Sequence, residues 1–190
     1  MSSTDSQLDK ATWRRGLLQQ RQSLPADIWQ QKSTQLCSHL QSSSLFAQSQ
    51  TIVAYFSFRQ EPDLSILFSD DHRWGFPRCA GKSLSWHLWK PGEALETGSY
   101  GLIEPPADSP TLQPAEVDLI LVPAVACDEQ GYRLGYGGGF YDRLFSSPEW
   151  ASTPALGIVF EFAYLPQLPI DSWDKQLHGV CTEMGIKMMQ

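Results

Sequence analysis

The 190-residue chain has no long hydrophobic run. Its longest apolar stretch, Leu119 to Cys127, is broken by Pro123 and falls far short of the ~20 residues that a membrane-spanning helix needs. The opening, Met1 to Lys10, is polar and lacks the apolar segment of a secretory signal, so none is expected. Positive charge is also in short supply. Fourteen Lys and Arg stand against 21 Asp and Glu, a net charge of −7. That balance lacks the basic footprint of a nucleic-acid binder and gives no attraction to anionic membranes. The four cysteines (Cys37, Cys79, Cys127 and Cys181) form no CxxC pair, and the four histidines do not complete a zinc spacing. His178 and Cys181 come nearest, as two isolated ligands. Reduced thiols in a cytoplasmic protein are therefore expected. Fourteen glycines and 13 prolines are too few for a disordered or collagen-like chain, and no internal repeat or charge block stands out.

Apolar residues make up 42% of the chain, enough for a real core in a chain that buries roughly 70% of its unfolded surface. One domain over 1–190 is expected, with N-terminal helices in 1–45 packed on a sheet in 46–190. Asp9 is a candidate cap for a first helix, on which Trp13, Leu17 and Leu18 share a face. Pro25 marks a break, and a second helix begins at Ala26 and Asp27. Its buried stripe is Ile28, Leu36 and Leu40, and the Ser42–Ser44 cluster ends it. Thr51–Ser57 reads as a strand, followed by Glu61-Pro62 and a helical stretch to Phe68. Residues 73–77 and 84–88 suggest short strands or a hairpin, and the four prolines in 105–114 mark a loop. Val117–Val122 and Ala155–Phe160 are near-continuous apolar runs, the pattern of parallel strands covered on both faces. With a helix through Tyr141–Phe145, the alternation predicts an α/β fold: a three-layer αβα sandwich around a mostly parallel sheet.

The densest signal is residues 121–144. A buried strand runs through a polar turn into Gly135, Gly137, Gly138 and Gly139, then into a helix. Open α/β sheets bind ligands beyond the carboxyl ends of their strands. A glycine-rich helix entry presents bare N–H groups to an anion such as phosphate. Arg133 and Arg143 bracket the loop, and Asp142 stands close enough to hold a magnesium ion. No Gly-Lys-Ser/Thr follows, so this is not a Walker A loop. Phe140 occupies the third glycine position of a dinucleotide fingerprint, which excludes that motif too. The bland alternative is a flexible turn into an amphipathic helix. Lys10 and Arg14 share a helix face at i, i+4, either as ligand contacts or as a solvated cationic surface. Glu61 follows a strand's carboxyl end, as a site residue or a turn residue. Asp174 is either an exposed loop charge or a second carboxylate for a metal. Trp86, Trp89 and Tyr100 could wall a pocket for a flat ligand or belong to the core.

Together these residues carry a resemblance. Lys10-x-x-x-Arg14, Tyr55-Phe56-Ser57 leading to Glu61-Pro62, Gly101-Leu-Ile-Glu-Pro105, and above all the run from Asp128 through Gly131, Arg133-Leu-Gly-Tyr-Gly-Gly-Gly-Phe-Tyr-Asp142 to Arg143 resemble the 5-formyltetrahydrofolate cyclo-ligase family over residues 10 to about 186. The resemblance implies an ATP- and magnesium-dependent enzyme of folate metabolism, on a sheet similar to those of sugar-phosphate isomerases and CoA transferases. It implies ATP contacts at Lys10, Ala11, Thr12, Trp13 and Arg14. The same implication covers Arg133, Leu134, Gly135, Tyr136, Gly137, Gly138, Gly139, Phe140 and Tyr141. Lys10, Arg14 and Arg133 would be catalytic. Phe56 and Glu61, with Tyr136 to Phe140, would contact folate, and Asp142 and Asp174 would serve magnesium. The implied partners are ATP and 5-formyltetrahydrofolate, with no nucleic acid and no membrane, and a monomer is expected. Ala124 and Cys127 stand where the family usually has Gly and Phe, and Trp173 precedes Asp174 where His is common. The competing readings are a sugar-phosphate isomerase or CoA transferase relative, and a non-catalytic binding module on the same fold.

Overall fold

The computed structural model describes residues 3–69 and 71–189. Helix α1 (Ser3–Gln22) is already under way at Asp9, so Asp9 lies inside the helix and is not its cap. Its packed face is Lys10, Arg14, Leu17 and Arg21, spaced four, three and four residues apart, while Trp13 is 42% exposed. Helix α2 (Ala26–Gln41) starts after Pro25 and carries Asp27 in its first turn, where a negative charge meets unpaired N–H groups. It buries Ser33, Leu36, Cys37 and Leu40; Ile28, expected in that stripe, is exposed. The serine cluster both ends α2 and starts α3 (Ser44–Gln48), whose Phe46 N–H donates to Ser43 Oγ at 3.2 Å.

The strands follow as β1 (Thr51–Val53), β2 (Arg73–Ala80), β3 (Ser83–Leu88), β4 (Glu96–Thr97), β5 (Ile103–Glu104), β6 (Leu119–Pro123), β7 (Ala126–Asp128) and β8 (Arg133–Leu134). After α4 (Phe140–Ser146) and α5 (Pro148–Ala151) come β9 (Ala155–Ile158), β10 (Tyr164–Leu165), β11 (Gly179–Thr182) and β12 (Gly185–Met188). The main sheet has the order β12-β11-β9-β6-β1-β2-β3. Its five inner strands are parallel, and β3 and β12 are antiparallel edges. β1 is shorter than the predicted 51–57 strand, and the helix expected before Phe68 is a single 3-10 turn at Ser65–Leu67.

Side chains alternate across this sheet. Ile52, Ala54, Leu119, Leu121, Leu156, Ile158 and Cys181 pack on one face with residues of α2 and α3. Val53, Ile120, Val122, Ala155 and Val180 pack on the other with Leu17, Leu144, Phe145 and Trp150. Both faces are covered, which makes the inner strands hydrophobic throughout and gives the expected three layers. A small sheet, β10-β7-β8, lies on the second face. It presses close at Gly157, where a Cβ would meet Cys127 Sγ at 2.5 Å. From β1 the chain adds β2 on one side, then returns to place β6 on the other. The sheet therefore has a topological switch point at the carboxyl ends of β1 and β6, the place where such sheets form a crevice.

Candidate active site

A cleft of about 720 Å³ opens at that switch point. Residues from the loop after β1, Pro123 at the end of β6, the glycine loop, and Lys10 and Arg14 of α1 line it together. Of the expected residues, Lys10, Arg14, Phe56, Glu61, Arg133 through Asp142 and Asp174 all meet here, although they lie far apart in the chain. Ala11, Thr12 and Trp13 are exposed and do not line the cleft, because a helix turns them away from the face that Lys10 and Arg14 share. Trp86 and Trp89 do not wall the cleft either. Trp86 is buried in the core, and Trp89 packs edge-on against Phe56, Phe68 and Phe76. Tyr100 does line it, close to Phe140.

Glu61 stands on a tight turn. Its N–H donates to the Phe58 carbonyl at 3.0 Å, and the two central residues, Arg59 and Gln60, have φ of 49° and 54°. Two left-handed residues in a row make a type I′ geometry that usually recruits Asn-Gly. Here side-chain bonds hold it, two of them local and one, from Trp29 of α2, tertiary. Ser57 Oγ and Trp29 Nε1 both donate to the Glu61 carbonyl, and Tyr55 Oη donates to the Pro62 carbonyl at 2.8 Å. The Glu61 carboxyl, 3% exposed, accepts from Tyr136 Oη at 2.8 Å and from the Phe58 N–H at 3.0 Å. Burial pushes its pKa up to about 7, against the pull of Arg21, Tyr136, the Phe58 N–H and Arg59. Phe56, the other expected substrate contact, is stacked on Phe76 with ring centroids 4.1 Å apart.

The glycine loop is braced by arginines. Arg14 Nε donates to the Gly135 carbonyl at 2.6 Å, and Arg143 Nη2 donates to the Gly138 carbonyl at 2.8 Å. Gly137 (φ 102°) and Gly139 (φ 65°) use backbone conformations that side chains disfavour. α4, seven residues long, follows directly, with Gly139 at its N-cap in the left-handed conformation. Arg133 has a side chain 5% exposed and meets Asp142 as an ion pair at 3.2 Å. Its Nε, and the hydroxyl of Tyr141, are buried with no hydrogen-bond partner among the described residues.

Lys10 Nζ is held by Asp171 at 2.7 Å and Asp174 at 2.5 Å, so Asp174 stands beside a cation rather than exposed in a loop. Among the described residues, no group of three potential ligands forms a standing metal cage. A magnesium ion carried by phosphates needs just one or two carboxylates, so this donor set fits such an ion. Asp142 pairs with Arg133 through Oδ2, while its Oδ1 receives a long 3.5 Å contact from the Lys175 N–H.

Two residues central to this arrangement escaped the sequence reading. Asp171 lacked any motif. Arg21 did leave a signal, since it extends the Lys10, Arg14, Leu17 face by one more step.

Residues 6–183 match the family described as the 5-formyltetrahydrofolate cyclo-ligase family. The chain belongs to the 5-formyltetrahydrofolate cyclo-ligase family. It is thus an enzyme by descent, and its fold agrees. The 5-formyltetrahydrofolate cyclo-ligase of Mycolicibacterium smegmatis is 32% identical over 187 residues, covering 91% of this chain and 93% of that one. The cyclo-ligase of Escherichia coli is 28% identical over 173 residues, covering 86% and 94%. The NMR structure of Aquifex aeolicus 5,10-methenyltetrahydrofolate synthetase superposes with a TM-score of 0.85 at 29% identity, covering 95% of this chain and 93% of that one. Against the family pattern, Ala124 and Cys127 are both buried, and Cys127 fills the space opposite Gly157. Trp173 is 52% exposed at the cleft rim. Among the described residues, no helix is long and apolar enough to cross a membrane.

Proposed function

We propose that the chain converts 5-formyltetrahydrofolate and ATP to 5,10-methenyltetrahydrofolate, ADP and phosphate in this cleft. The observation that carries the reading is a buried cation with unspent donors. Arg133 and Tyr141 line the cleft, and their Nε and Oη are buried without acceptors among the described residues, beside a glycine loop braced by Arg14. A buried donor left unpaired costs roughly 1–3 kcal/mol, and a phosphate oxygen would supply the acceptor.

A formamide oxygen is a poor leaving group, so the reaction must first convert it to a phosphate ester. The formyl oxygen attacks the γ-phosphorus, ADP leaves, and N5 becomes an iminium bearing the phosphorylated carbon. N10 then attacks that carbon and loses its proton. Phosphate departs with the former carbonyl oxygen, leaving the cationic methenyl bridge. Phosphoryl transfer asks the protein for positioning and charge stabilisation. Lys10, Arg14, Arg133 and the N–H groups of Gly135 to Gly139 would meet the phosphates. Phe56 and Glu61 would hold the pterin, whose ring N–H groups suit a carboxylate acceptor, and so place N5 and N10. Asp142, with Asp174 near Lys10, would hold magnesium. When bound, that ion would supply positive charge to offset that of the phosphates. The cleft asks for no covalent nucleophile. We further propose that the protein works in the cytoplasm as a monomer.

Two experiments bear on this reading. With both substrates present, excess chelator should abolish the near-ultraviolet absorbance of the methenyl product, and added magnesium should restore it. Full turnover in chelator would contradict the metal's role. Arg14→Ala should raise the KM for ATP by about 10- to 100-fold, the equivalent of one charged hydrogen bond. Its melting temperature should move by no more than a few degrees, because a half-exposed helix cation adds little stability. An unchanged KM for ATP would return Arg14 to a surface role.

A further inference from the structure

We propose that Arg21 is a positioning residue for this reaction: acting through the Tyr136 hydroxyl, it fixes Glu61 as an acceptor and ties the glycine loop to the pterin end of the cleft. The inference rests on the reading of Glu61 given above. Arg21 is 3% exposed and is not among the residues that line the cleft, so it does not meet the ligands itself. Its guanidinium instead joins three separate segments. Nε donates to the Arg59 carbonyl at 3.0 Å, Nη1 donates to the Ala124 carbonyl at 3.1 Å, and Nη2 donates to Tyr136 Oη. These are the loop after β1, the end of β6, and the glycine loop.

The direction of the chain of bonds follows from the donors. A guanidinium has five N–H donors and no acceptor. Tyr136 Oη must therefore accept from Arg21, and its own proton is left to point at Glu61 Oε1. The Phe58 N–H occupies Oε2. Both oxygens of Glu61 are thus met by donors, an environment that suits the carboxylate, and successive bonds of one direction reinforce each other. A packing role alone would be filled at less cost by an apolar side chain, because a buried charge loses its hydration. The other groups facing Glu61 are Arg59 on its own turn, the phenol of Tyr55 after β1 and that of Tyr141 on α4; Trp29 of α2 reaches the Glu61 carbonyl. Of these, Arg21 exerts the strongest pull toward the ionised form.

The test is a carbon-13 carboxyl titration of Glu61 in the ligand-free protein, run beside pH profiles of kcat/KM for 5-formyltetrahydrofolate. In Arg21→Met the Glu61 midpoint should rise by about one pH unit, the lower end for losing a nearby opposite charge. Activity at pH 7 should then fall about fivefold and recover toward pH 9 as the carboxylate is regained. Arg21→Lys should keep most of the wild-type midpoint. If Arg21→Met does not fold, Tyr136→Phe carries the test, since it cuts the relay at a half-exposed residue and should also raise the midpoint. An unmoved midpoint with a lowered melting temperature would make Arg21 a packing residue and overturn the proposal. The titration needs no substrate, so a protein that fails to convert 5-formyltetrahydrofolate would contradict the proposed function while the relay is still decided.

Discussion

Gly137→Val should abolish turnover while the protein stays folded. Gly137 has φ of 102°, a conformation that a β-branched residue scarcely adopts, and it lies in an exposed connection between β8 and α4. A Cβ there would stand 3.8 Å from the Arg14 guanidinium carbon, so the new side chain would also crowd the cation that braces Gly135. Relieving the strain would turn the loop's N–H groups away from the proposed place of the phosphates. Losing one such donor typically lowers turnover by ~10²–10³-fold. The strain itself, on the order of 1–3 kcal/mol, can relax in a loop that carries no core side chain, so the melting temperature should fall by a few degrees. Calorimetry with ATP beside thermal melting checks this. A folded Gly137→Val protein that binds ATP normally would mean that the phosphates lie elsewhere. Gly138→Val is a weaker probe, because Gly138 has no positive φ and a Cβ there meets the Phe140 ring at 2.9 Å.

Glu61→Gln should remove activity and yet gain stability over the wild type as pH rises. Burial holds the Glu61 pKa at about 7, above its ordinary 4.5. The folded protein therefore binds this proton more tightly than the unfolded chain does. The stability linked to it is complete below pH 4.5 and is lost as pH rises through 7, because ionising a buried carboxyl costs more in the fold than in water. Glutamine cannot ionise. Between pH 4 and pH 8 the stability difference should shift toward Glu61→Gln by about 3 kcal/mol, read from urea unfolding at each pH. Turnover should fall by on the order of 10²-fold, since the pterin loses a charged acceptor. A stability difference that does not change with pH would mean that Glu61 is not a buried titrating acid.

The sheet and its two-faced burial were legible because they depend on local sequence. Runs such as Leu119 to Val122 can satisfy their pattern only as strands covered on both sides, and the structure alternates them between the two cores as expected. The site was legible where backbone chemistry restricts the residue, as at Gly137 and Gly139. Which two of the four glycines carry positive φ was not, since nothing in a run of glycines sets one apart from the next. The turn at Arg59-Gln60 was also hidden. Neither residue favours a left-handed backbone, and the geometry is held by distant bonds from Trp29 and Arg21 beside a nearer one from Tyr55. The pairing of Asp174 with Lys10 spans 164 residues and could not be read from spacing. Ile28 looked buried by periodicity alone, yet the buried stripe of α2 starts only at Ser33, and Ile28 is exposed.

In the proposed reaction, this cleft couples cleavage of ATP to closure of the methenyl bridge. The most direct measurement follows phosphate release and methenyl absorbance together, with protein, magnesium, ATP and 5-formyltetrahydrofolate. One phosphate is expected for each methenyl bridge, and neither signal when ATP or the formyl substrate is left out. Methenyl formation without ATP, or steady phosphate release without the formyl substrate, would contradict it.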